Sequence, residues 1–180
     1  MKNLILITLL LIPCFSFAQE VQLPINPKTQ KIEYTDLVKV DSTLTSDELY
    51  TRARSWFATA FKSANNVIQM EDKSTGIIIG KGNFSIREQF GLASGHVSFT
   101  IKTQVKDGRY KYWINDFVHD ASKGQIGGNL ENEKPLCGTM IMMRKYWGKV
   151  KEMTDAKMIT MIQDLNEQMK KPSSGKSDNW

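Results

Sequence analysis

The chain is poor in the residues that make cross-links and metal frameworks. Its 180 residues hold two cysteines, Cys14 and Cys137, and two histidines, His96 and His119. That supply excludes a disulfide scaffold, and no paired-cysteine zinc spacing is present. Long apolar runs are also scarce. The run from Leu4 to Pro13 is too short to span a bilayer, which takes about 20 residues. No block of like charge occurs either. The formal net charge is +5, with lysines spread along the chain, so no basic nucleic-acid arm is expected.

What is present at the N-terminus reads as an export signal. Lys2 supplies a positive start, Leu4 to Pro13 an apolar run, and Ser16-Phe17-Ala18 the small residues a signal peptidase reads. The cut is expected after Ala18. Pro13 stands where a small residue should precede a lipidated Cys14, which argues against a lipoprotein. Cys14 then leaves with the signal, and stability must come from packing rather than from a disulfide. The signal takes one lysine and no acid with it, so the mature charge is mildly positive. The expected location is periplasmic or secreted. Export removes nucleic acid as a partner, and no transmembrane segment follows.

The rest, residues 19–171, reads as one α+β domain, with 172–180 as a disordered tail. Lys31 to Val40 alternates as a strand, with Ile32, Tyr34, Val38 and Val40 on one face. Thr45 and Glu48 form a capping box that starts a helix. Leu49, Ala53, Trp56, Phe57, Ala60 and Phe61 give that helix an apolar stripe, and Asn65-Asn66 ends it. Strands follow at Val67–Glu71 and Gly76–Ile86. His96–Lys106 and Arg109–Asp120 flank Asp107-Gly108, a strong hairpin signal. Ala121 to Gly138 reads as a long surface loop, of the kind that often carries function. Met140–Val150 reads as helical, and Thr154 is expected to cap a further helix with Met158, Met161, Ile162, Leu165 and Met169 on one side. This order of elements predicts an antiparallel sheet with helices on one face and the other face open.

Several segments carry a family resemblance. They are Lys31-Ile32-Glu33-Tyr34, then Asp47-Glu48-Leu49-Tyr50 with Ala53 and Trp56, then Val67-Ile68-Gln69-Met70-Glu71-Asp72-Lys73, then Gly80-Lys81-Gly82. Together they resemble a family of exported bacterial domains of unknown function with a fold similar to the TATA-binding protein. The resemblance covers Leu23 to Asp120. It implies a curved antiparallel sheet of about five strands, helices on one side, and export from a Gram-negative cell. It implies no activity, and DNA binding does not carry over with a fold.

The hairpin supports a register argument. With a two-residue turn, Lys106 faces Arg109, Ile101 faces Ile114, and His96 faces His119. Val97, Phe99, Ile101, Thr103 and Val105 then share the apolar face with Val118, Asp116, Ile114, Tyr112 and Tyr110. His96, Ser98, Thr100, Lys102 and Gln104 share the open face with His119, Phe117, Asn115, Trp113 and Lys111. Trp113 and Phe117, rimmed by Lys102 and Lys111, form an aromatic patch suited to a peptide, a glycan or a partner protein surface. His96 and His119 would sit about 5 Å apart at Cβ, near enough to share a metal, but a proper site needs three or four ligands. Asp120 points to the other face in that register. Asp116 interrupts the apolar face and marks either a functional carboxylate or a bulge or sheet edge, the latter being favoured.

Three near-motifs fail. Gly76 to Gly82 lacks the spacing of a phosphate loop, so no cofactor is expected. Ser94 is displaced from the nucleophile-elbow position. Cys137 has no neighbouring histidine to activate it. The expectation is a non-enzymatic envelope module that binds through the open sheet face. The alternative is a metal-dependent or acid/base hydrolase built on His96, His119 and a carboxylate.

Overall fold

The computed structural model describes residues 21–61, 67–87, 94–121, 127–136 and 141–171, with side chains described from Arg144 onward in the last segment. The expected signal segment with Cys14, the expected helix end at Asn65-Asn66, Cys137 and residues 172–180 lie outside the described residues, as do parts of the 87–95 and 121–138 segments.

A single antiparallel sheet organises the chain. Its strands are β1 (Tyr34–Lys39), β2 (Ile68–Asp72), β3 (Ile77–Arg87), β4 (Ser94–Lys106), β5 (Arg109–Asp120) and β6 (Gly128–Asn129). The order across the sheet is β1-β5-β4-β3-β2, and β6 also pairs with β5. Six strands therefore stand where about five were expected. The addition comes from the 121–138 segment, whose Gly128-Asn129 pairs with His119 and Val118.

Helix α1 (Ser46–Ala60) starts at the expected capping box, with Thr45 accepting from the Glu48 backbone and Glu48 reaching back. Leu49, Ala53, Trp56, Phe57 and Phe61 are buried against the sheet, while Ala60 is exposed. The Gly80-Lys81-Gly82 segment of β3 has a packing reason. A Cβ on Gly82 would come within 2.6 Å of the Phe61 ring and 2.5 Å of Phe99. Glycine there lets the aromatic end of α1 lie close to the strand.

The C-terminal region is one helix, α2 (Ile141–Lys170), rather than two. Thr154 does not cap it. Its hydroxyl is buried and donates to the Val150 carbonyl at 2.8 Å, so a residue that signals a helix start has turned back on its own helix. Met158, Leu165 and Met169 are buried as the stripe requires. Polar ties fasten α2 to the rest. Tyr34 donates to Asp155 at 2.7 Å, Tyr110 donates to Asn166, and the Trp56 indole donates to Asp164 at 2.8 Å. Burial pushes the Tyr34 and Tyr110 phenols well above their ordinary range, and the hydrogen bond to Asp155 adds to the effect at Tyr34. Both described helices lie on one face, and among the described residues nothing covers the other face of the sheet.

Candidate functional site

The turn half of the β4–β5 hairpin keeps the expected register. Lys106 faces Arg109, Gln104 faces Lys111, Lys102 faces Trp113, and Thr100 faces Asn115. Strand β1 adds Lys39 opposite Arg109, Leu37 opposite Lys111 and Thr35 opposite Trp113. The open face there is a grid of three rows: Lys39-Arg109-Lys106, Leu37-Lys111-Gln104 and Thr35-Trp113-Lys102. Neighbours within a row are about 5 Å apart and rows about 7 Å apart, as the pleat dictates.

Five of those nine positions are cationic and none is acidic. The Lys102 ammonium sits 4.9 Å from the Trp113 ring centroid and the Lys111 ammonium 4.7 Å. The ring quadrupole attracts both without neutralising either. Among the described residues, no ion pair engages Lys39, Lys102, Lys106, Arg109 or Lys111. Beside Trp113 opens a cavity of about 260 Å³ lined by Leu37, Gln104, Lys106, Arg109, Tyr110, Lys111 and Trp113. An apolar wall with convergent cations can hold an anionic group carried on an apolar or hydroxylated body.

Beyond Asn115 the register slips. Ser98 faces Val118, Val97 faces His119 and His96 faces Asp120, with the shift falling between Ser98 and Thr100. Asp116 is the inserted residue. Its φ of 56° lies in the left-handed region, which aspartate tolerates better than most residues. Its carboxylate meets Lys31 at 2.9 Å with both side chains about half exposed, so the bulge reading of Asp116 is the one observed.

A one-residue slip exchanges the faces of everything that follows. Phe117, expected on the open face, is fully buried and stacks on Phe99 with ring centroids 6.1 Å apart. Val118, expected inside, is exposed. His119 is buried at 1% exposure instead of facing His96. Its ring lies edge-on to Tyr146 at 5.8 Å and to Trp147 at 5.9 Å, and its Nε2 meets the Tyr146 hydroxyl at 3.3 Å. The two histidines thus occupy opposite faces of the sheet, and the expected His96–His119 pair does not form. Among the described residues, no group of three metal-ligating side chains comes together.

The same slip brings Asp120 to the face of His96, where Ser85 flanks the histidine from β3. The Ser85 hydroxyl lies 3.3 Å from His96 Nδ1. No ion pair joins Asp120 to His96, so the ring lacks the carboxylate contact that orients a catalytic imidazole. Ser85, His96 and Asp120 are all exposed.

Of the expected site residues, Trp113, Lys102 and Lys111 come together on the open face. His96 shares that face beyond the bulge, while Phe117 and His119 belong to the core. Leu37, Lys39, Lys106, Arg109 and Gln104 join the site without having been singled out. The hairpin register already placed Lys106 beside Arg109. Leu37 and Lys39 depended on the long-range β1–β5 pairing, for which local sequence carries no signal.

Comparison with known proteins agrees with this architecture. Residues 34–120 match the family described as a domain of unknown function (DUF4468) with TBP-like fold. A crystal structure of a DUF4468 family protein from Bacteroides ovatus is similar with a TM-score of 0.63 at 14% identity, over 84% of this chain and 92% of that one. A TBP-like protein from Parabacteroides distasonis is similar with a TM-score of 0.51 at 13% identity, over 78% of this chain and 96% of that one. Likeness at such identities speaks to fold alone. No curated protein matches the chain. Residues 34–120 thus carry the match to DUF4468, a family of TBP-like domains of unknown function, and the solved structures share that fold with this chain.

Proposed function

We propose that the protein is an exported binding module of the cell envelope that takes a ligand or partner on the open face of its sheet, at the corner around Trp113. The observation that carries this reading is the Trp113 grid itself. A part-exposed indole, two ammoniums over its ring and an adjoining cavity stand on the face that neither helix covers. Export is supported by the N-terminal pattern ending at Ala18. The partner is a protein, peptide or glycan of the envelope.

Two measurements test the reading. N-terminal sequencing of the protein recovered from a Gram-negative periplasm or medium should begin at Gln19. An NMR titration of the mature protein with envelope peptides and glycans should move the Trp113 indole signal and the amides of Leu37, Lys102 and Lys111. Shifts confined to the helical face, or none at all, would overturn it.

A further inference from the structure

We propose that the Trp113 corner is an oxyanion site that takes a phosphate-class group on a compact body. The inference rests on the binding-module reading above and names its ligand chemistry.

Charge argues first. Lys39, Lys102, Lys106, Arg109 and Lys111 share three adjacent strands, and no acid occupies the grid. Like charges this close repel, and the repulsion is relieved by an anion placed among them. A dianion matches such a cluster better than a single carboxylate. Geometry argues second. Arg109 offers a planar fork of donors and the lysines offer point charges, the pairing that phosphate oxygens accept well. Trp113 holds two of the ammoniums over its ring, which limits their freedom before any ligand arrives.

Size argues third. A cavity of about 260 Å³ holds the volume of roughly nine liquid waters, at about 30 Å³ each. That is room for one phosphorylated sugar unit or a short polyol. Gln104 can serve a hydroxyl with both donor and acceptor, and Leu37 supplies an apolar wall. The chemistry is that of a phosphate monoester. Its source is either a soluble phosphorylated sugar or a phospholipid headgroup.

The test uses the mature chain, Trp113 indole shifts and tryptophan fluorescence. The probes are glucose 6-phosphate, glucose, inorganic phosphate, and phosphatidylcholine vesicles with and without phosphatidic acid. Glucose 6-phosphate should bind at least about tenfold more tightly than glucose, and its affinity should fall as salt rises. Arg109→Gln and Lys111→Gln should each weaken binding about tenfold, while Lys28→Gln, remote and exposed, should not. Preference for phosphatidic acid vesicles over the soluble ester, lost in Arg109→Gln, would assign the headgroup source. Equal affinity for glucose and its phosphate, with no vesicle binding, would overturn the proposal. If peptides or neutral glycans still move Trp113 in that case, the binding module stands and only the oxyanion chemistry falls. If nothing moves Trp113, both fall.

Discussion

Strand β5 has two halves that share β4 as a partner and differ in their other neighbour and in the residues they turn to each face. From Arg109 to Asn115 it keeps register with β4, pairs with β1 and presents Lys111 and Trp113 to the open face. From Phe117 to Asp120 it runs one residue out of register, pairs with β6 and presents Phe117 and His119 to the core. The difference is a single inserted residue, Asp116. One left-handed backbone position thereby lets one strand set Trp113 among cations on the open face at one end and turn Phe117 and His119 into the core at the other. The core half belongs to a chain of rings in which Phe117 touches both Phe99 and Tyr34.

The comparison breaks most visibly at its two aromatics. Phe117→Ala should cost about 3–5 kcal/mol in urea unfolding, as a buried aromatic truncation does. Trp113→Phe should change stability by no more than about 0.5 kcal/mol, as a surface substitution does. Similar losses at both positions would erase the distinction between the halves.

The bulge is the next target. Asp116→Val forces a β-branched residue into the left-handed region and should cost about 1–3 kcal/mol, whereas Asp116→Gly should fold with little change. The Lys31 ion pair lost in both variants is exposed and contributes little.

A smaller effect sharpens the core side through pH. Tyr34 is held neutral by burial and by its bond to Asp155, so its folded-state pKa lies above the unfolded value. Such a group contributes stability that is fully present below about pH 10 and is lost as pH rises beyond it. Tyr34→Phe should cost about 1 kcal/mol at neutral pH and should flatten the alkaline decline. Smallest of all, Lys111→Gln should leave stability within about 0.5 kcal/mol of the parent, since it removes a repelling charge and no buried contact.

Much of this arrangement was legible in the sequence, and the rest has physical reasons for being hidden. The capping box at Thr45 and the Asp107-Gly108 turn are local signals, and both elements start where those residues say. The faces of β4 followed from its alternation. The register of β5 could be counted only as far as its first irregularity, and Asp116 showed as a break in the pattern without saying which way the chain would resolve it. Thr154 misled because the same hydroxyl caps a helix or bonds back within one. Gly128-Asn129 is too short to show a strand period, and β1 reaches the site only through long-range pairing.

The most direct test of the two-halves account is a proton NOE spectrum of the protein's two histidine rings. The account predicts contacts from His119 to the Tyr146 and Trp147 rings, whose centroids lie 5.8 and 5.9 Å away, and none from His119 to His96. An NOE between the two imidazoles would mean that the register runs unbroken past Asp116. It would return Phe117 and His119 to the open face and contradict the account.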